Sequence, residues 1–261
     1  MRRLNFKVDS WMILCLILVG VLVFSIIGDS SKINPLVFRG MVKGQVTEQV
    51  SAEELYPLFA CPCCGQPLDK KNICCEQAQE RINYIDSLVA SKTPKEEIIL
   101  AYVKKYGLNS FIDKAKAEEF KDELAKQAPQ ERSIITLSPV SFDFGKVSQK
   151  KGVVTTSFEL KNEGKSDLVI ERLDTSCGCT SASIVYKDIE GPRFAMAGHG
   201  TKNPTDWSLT IPAGEKAQLR VYYDPVVHKE FRGPATREIS VFSNDPVDFE
   251  KKVLVELEQV D

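Results

Sequence analysis

The sequence predicts a chain in three parts: an apolar N-terminal membrane helix, a small cysteine-rich α-helical hairpin module and an all-β sandwich. Three observations lead there. Residues 11–27, WMILCLILVGVLVFSII, run for 17 positions without a charge. Five of the eight cysteines crowd between Cys61 and Cys75, next to helical periodicity. From Ile134 onward the text changes to short alternating runs, the period of strands.

The apolar run is at the short end of what spans a bilayer. Arg2, Arg3 and Lys7 precede it, so the positive-inside rule sets the N-terminus in the cytoplasm and the bulk of the chain outside it. The nearest small-residue cleavage site, Gly28-Asp29-Ser30, is spoiled by its aspartate, so 1–28 is expected to be a retained anchor. Cys15 within it reads as a small apolar residue. Residues 29–50 lack clear periodicity and read as a linker. Hydrophobic residues are 43% and charged residues 27%, enough apolar mass for a core. A net charge of -2 gives no reason to expect nucleic acid as a partner.

Ser51 followed by Glu54 is a capping-box pattern that opens a short helix before the cysteines. After Cys75, the residues Ile82, Ile85, Leu88 and Val89 share one helical face. Thr93 as cap, Pro94 in the first turn and Glu96 start a second helix. Its apolar face is Ile98, Ile99, Tyr102, Val103 and Tyr106, and Gly107 ends it. The two helices read as a hairpin within a module spanning 51–108. Residues 109–130 are charged and alanine-rich, a solvated spacer helix stopped by Pro129. The remainder, 131–261, has strand-like runs at 141–147, 153–160, 168–173, 207–211, 217–223, 238–242 and 253–257. Turn texts such as Asn244-Asp245-Pro246 separate them, which predicts an immunoglobulin-like sandwich.

Two groups of side chains carry chemistry. Cys61, Cys63, Cys64, Cys74 and Cys75 support three readings. Cys61 and Cys64 can cycle between dithiol and disulfide as a catalytic pair. The cluster can hold an all-sulfur metal site, zinc or Cu(I), since CPxCGxxL is knuckle-like text and no histidine is near. The cysteines can also be disulfide staples of a small module. The second group is Cys177 and Cys179 on a Cys-Gly-Cys turn after a strand. Both histidines, His199 and His228, and the sandwich's lone methionine, Met196, follow it in sequence. Cysteine, methionine and histidine together suit copper, above all Cu(I), if the loops converge at one end of the sandwich. Asp224 reads as a turn former rather than a ligand. There is no phosphate loop, serine-histidine-aspartate set or haem-attachment motif, so a conventional hydrolase or transferase is not expected.

FDFGKV, SFELKNEGKSDLVIERLDTSCGCTSA, IPAGEKAQLRVYYDP and ISVFSNDP together make the C-terminal half resemble the DUF1573 family of immunoglobulin-like extracytoplasmic domains. Met196 and His199 fall in an insertion at 188–206. LYPLFACPCCGQP, with helices ending in EEIILAYVKKYG, looks like the CcmH/CycL/NrfF family of cytochrome c maturation thiol proteins, with Cys61 and Cys64 as the matching pair. The resulting expectation is a membrane-anchored extracytoplasmic protein, periplasmic or cell-surface, that handles thiols and soft metal, with copper foremost. It would serve as chaperone or maturation factor for a respiratory cuproenzyme or c-type cytochrome in the envelope, that role resting on the second resemblance. The alternatives are a structural or interaction protein with a zinc- or disulfide-stapled module, and a thiol–disulfide oxidoreductase.

Overall fold

The computed structural model describes residues 50–196 and 202–261, which belong to one compact unit. The apolar run at 11–27, the linker through residue 49 and His199 lie outside the described residues. Among the described residues, no helix is long and apolar enough to cross a membrane.

The helical module forms as its local signals dictate. At α1 (Ala52–Leu55) the Ser51 N–H and hydroxyl both donate to the Glu54 carboxylate, at 3.4 and 3.0 Å. The hairpin consists of α2 (Glu76–Ala90) and α3 (Lys95–Tyr106), which bury Ile82, Ile85, Ile98, Tyr102 and Val103 between them and the preceding segment. Thr93 does not cap α3. Lys92, at φ +57°, and Thr93 return their N–H groups to the Val89 and Leu88 carbonyls, closing α2 in a Schellman turn, so α3 begins only after Pro94. Gly107 ends α3 at φ +85°, where a Cβ would meet the Glu250 carboxylate at 2.5 Å.

The expected solvated spacer is α4 (Lys114–Gln127), and it is not free of the fold. Ala117, Phe120 and Leu124 pack on the module's core, and Lys121 pairs with Asp248 at 2.7 Å. A narrow three-to-four-residue apolar stripe lies hidden in the charged text.

Eleven strands follow among the described residues. They are β1 (Ile135–Ser138), β2 (Ser141–Ser148), β3 (Val154–Asn162), β4 (Leu168–Thr175), β5 (Thr180–Tyr186), β6 (Ile189–Glu190), β7 (Phe194–Ala195), β8 (Leu209–Ile211), β9 (Lys216–Tyr223), β10 (Gly233–Ser243) and β11 (Glu250–Val260). One sheet runs β1-β3-β9-β5-β6, with β7 also on β5, and the other runs β2-β11-β10-β4-β8. All pairs are antiparallel except β2 with β11. The sheets face each other over a core that includes Phe158, Leu160, Ile170, Ile184, Leu219, Val241 and Val253. This is an all-β sandwich of immunoglobulin-like type preceded by a small helical module. Trp207 precedes β8 rather than starting it, and its ring meets Phe194 edge-on at 5.3 Å.

The turn between β10 and β11 gathers the parts. The Asp245 carboxylate, 1% exposed, accepts from the Ile135 N–H at 3.0 Å and pairs with Arg132 at 2.9 Å. It also accepts from the Val247 and Asp248 N–H groups. A few residues on, Phe249 is buried in the core of the helical module. Removing one partner of a buried pair strands the other. Asp245→Ala is therefore expected to lower the unfolding free energy by about 3 kcal/mol, read from urea denaturation of the chain against wild type.

Candidate functional site

The first cluster is built by a tight loop and a helix start. Phe59 stacks on Tyr102, with ring centroids 3.8 Å apart, and Ala60 pairs with Pro67, fixing the two stems of the loop. Across the loop, the Cys61 N–H donates to the Gln66 carbonyl and the Gly65 N–H to the Cys61 carbonyl, with Gly65 at φ +70°. An Asp69–Asn72 turn then returns the chain to Cys74 and Cys75. Cys75 is the N-cap of α2, its sulfur accepting the Ala78 N–H at 3.4 Å.

The sulfurs converge. Cys61 Sγ lies 3.1 Å from Cys74 Sγ and 3.8 Å from Cys75 Sγ, and Cys64 Sγ lies 3.6 Å from Cys74 Sγ. Tetrahedral zinc with bonds of roughly 2.3 Å sets its sulfurs about 3.8 Å apart, so the spacing suits a shared ion. Cys61, Cys74 and Cys75 can hold a metal ion, and Cys64 adjoins them. Cys63 is exposed. Burial opposes ionisation of Cys61, but hydrogen bonds from the Cys74 thiol, the Cys64 and Cys63 N–H groups and the Cys64 thiol outweigh it, lowering its pKa to about 6. Cys74, bonded to Cys61 and Cys64, is pushed up to about 12. By distance, the nearest thiol partner of Cys61 is Cys74, at 3.1 Å, rather than the motif partner Cys64.

The second cluster sits where two loops cross between the sheets. Cys177 and Cys179 lie in the β4–β5 loop, and His228 lies in the β9–β10 loop. The two cysteines form a disulfide, with Cα atoms 5.3 Å apart. His228 Nε2 is 3.2 Å from Cys177 Sγ, and Arg237 Nε donates to Cys179 Sγ at 3.2 Å. The cysteine loop is fastened to both sheets: the Ser176 N–H donates to the Glu238 carbonyl and the Asp224 N–H to the Cys179 carbonyl. Cys179 is buried, Cys177 half-buried and His228 exposed. Cys177, Cys179 and His228 can likewise hold a metal ion.

Of the five residues proposed for this end, three therefore come together. Met196 directly follows β7, whose register sets Ala195 opposite Ser181, and it is not among the residues that meet at this cluster. Asp224 turns the chain, accepting the Val226 N–H at 3.0 Å. Sequence reasoning missed Arg237 and Gln259. The Gln259 amide donates to the Pro225, His228 and Phe231 carbonyls, at 3.0, 3.3 and 3.1 Å, and accepts from the Tyr223 hydroxyl. One signal for it was present: an amide on the inward side of an alternating strand, where Val255 and Leu257 are apolar.

The family model described as "Protein of unknown function (DUF1573)" matches residues 135–191. No curated protein matches the sequence significantly. Among solved structures, a protein of unknown function from Porphyromonas gingivalis W83 is 20% identical over 50% of this chain, with a TM-score of 0.37. This chain spans about half of that protein, 49%. PapD-like domain 7 of human CEP192 is 13% identical over 51% of this chain and 87% of its own, with a TM-score of 0.31. The periplasmic chaperone SfaE is 11% identical over 48% of this chain and 57% of its own, with a TM-score of 0.27.

Because the folded Cys61 value lies below the ordinary 9.0, the stability it contributes is full above about pH 9 and is lost as pH falls through about 6. In the reduced, metal-free chain, ultraviolet thiolate absorbance should show a first titration step near pH 6 that Cys61→Ser removes. A first step at ordinary thiol pH in wild type would contradict the assignment.

Proposed function

We propose that this protein handles thiols and soft metal outside the cytoplasm, anchored by the run at 11–27, with copper as the metal of the sandwich site. The observation that carries the reading is the meeting of Cys177, Cys179 and His228, with ligand atoms all within 4.8 Å of one another. Two thiolates and an imidazole are soft and borderline donors that suit Cu(I). Met196 comes from the segment beside the same strand end, and His199 follows it in sequence. The disulfide form offers no thiolate, so metal loading requires reduction first. The first cluster, all sulfur and closely spaced, suits zinc or a second soft ion through Cys61, Cys64, Cys74 and Cys75, with Cys63 beside them.

A second reading has its own support. The lowered Cys61 pKa favours a nucleophilic thiolate at neutral pH, which suits thiol–disulfide exchange at the first cluster. Service to a respiratory cuproenzyme or c-type cytochrome rests on the likeness of this segment to cytochrome c maturation proteins. A purely structural role would leave both clusters as staples that neither exchange nor load metal.

Cu(I) competition against a chromophoric chelator separates these readings, using the reduced full-length chain in detergent. Tight binding that Cys177→Ser/Cys179→Ser weakens at least a hundredfold, and that prior oxidation also abolishes, is the expected result. Binding unchanged in the double variant would move the copper site to the first cluster, and no binding by reduced wild type would end the copper reading.

A further inference from the structure

The Cys177–Cys179 bond is asymmetric in its surroundings. Cys177 is half-buried and faces the exposed loop of His228, whereas Cys179 is 2% exposed beneath it. Among the described residues, the Arg237 guanidinium lies against the buried sulfur, its Nε–H pointing at Cys179 Sγ from 3.2 Å. The Thr180 hydroxyl lies 3.7 Å from the same sulfur. Thiol exchange needs an accessible sulfur to attack and a stabilised sulfur to leave, and a lower leaving-group pKa speeds the step. These two sulfurs divide the roles. The half-buried one can be reached, and the buried one has a cation waiting for its charge.

We propose that the disulfide opens in one direction: a thiolate of a partner protein attacks Cys177, and Cys179 departs as a thiolate held by Arg237. In the first step a bond forms between the incoming sulfur and Cys177 Sγ. The Cys177–Cys179 bond breaks, and its electron pair stays on Cys179. In the second step another thiolate of the same partner attacks its own sulfur in the mixed disulfide. Cys177 then leaves as a thiolate beside the Cys179 backbone N–H and His228 Nε2, which lie 3.3 and 3.2 Å from its sulfur in the disulfide form. A partner dithiol is thereby oxidised to its disulfide, and its two electrons and two protons convert the Cys-Gly-Cys pair to two thiols. Arg237 acts directly on a reacting atom and is a catalytic residue of this exchange. The inference rests on the pair being a reversible thiol site, as in the reading above, but not on metal binding.

The test uses the oxidised full-length chain and reduced glutathione as the probe thiol. Short incubation is followed by acid quench, blocking of free thiols and fragment mass spectrometry, which separates Cys177 from Cys179 and from the first cluster. Glutathione on Cys177 with Cys179 free is expected. Opening should slow roughly tenfold or more in Arg237→Gln, as for the loss of a charge-assisted hydrogen bond, and recover in part in Arg237→Lys. Glutathione on Cys179 would overturn the proposal without any variant being needed. So would an Arg237→Gln chain of unchanged thermal unfolding that opens as fast as wild type. Directional opening in a chain that fails to bind Cu(I) would leave this inference standing and remove only the copper assignment.

Discussion

The buried carboxylate of Asp245 is the constraint on which the arrangement of the described unit depends. It takes N–H groups from the first strand of the sandwich and from its own turn, and it neutralises Arg132 from the segment that leads in from the helices. A charged group with so little exposure persists only when each lone pair is occupied, so the turn has little freedom to be elsewhere. Its fixed position then sets its neighbours: Asp248 meets Lys121 of α4, and Phe249 enters the helical core. Arg172 adds a second tie, donating to the Lys104 and Lys105 carbonyls with its guanidinium 3.5 Å from the Phe242 ring centre. The α3 terminus reached by Arg172 is also the one where Gly107 alone tolerates the approach of Glu250. Helices and sandwich thus share one framework, although their sequence textures differ sharply.

The two cysteine clusters are assembled by different means. In the first, local chain suffices: a loop closed by Gly65, an aspartate turn and a helix cap bring sulfurs together within fifteen residues. The N-terminus of α2 supplies partial positive charge at Cys75, and backbone N–H groups do the same at Cys61. In the second, nothing local suffices. Cys177 and His228 are far apart in the chain and meet because β4–β5 and β9–β10 both cross between sheets at one end. The exposed histidine loop would have no fixed place there without the Gln259 amide threading its carbonyls.

How legible this was depends on the range of the interaction. The capping box at Ser51, the paired helix faces and most strands follow from neighbours in sequence, and the chain forms them where the periodicity says. β5 escaped because Thr180, Ala182, Ser183 and Ile184 are all buried, so it has no polar alternation to read. β1 is only four residues long, too brief a run to stand out from the text around it. Thr93 resembles a cap by residue type, but it closes the turn that ends α2, and Pro94 takes the N-cap place of α3. The cysteines, His228 and the turn role of Asp224 could be picked out by residue type. Arg237 could not, because an arginine in a strand is ordinary until a buried sulfur is found under it. His199 and the apolar run at 11–27 remain outside the described residues.

The fastening of the Cys-Gly-Cys loop has a consequence for timing. Ser176 is bonded to one sheet through Glu238, and Cys179 to the other through Asp224, so the backbone separation of the two cysteines is set by the sandwich and not by the bond between their sulfurs. Opening that bond leaves the sulfurs facing each other at very high effective molarity, of the kind that pre-organised intramolecular reactions enjoy. Until acid protonates Cys179, any sulfur attached to Cys177 is therefore open to displacement by its own neighbour. Covalent adducts at this loop are built to be brief, and only a second thiol or a captured ion arriving quickly can keep the pair apart.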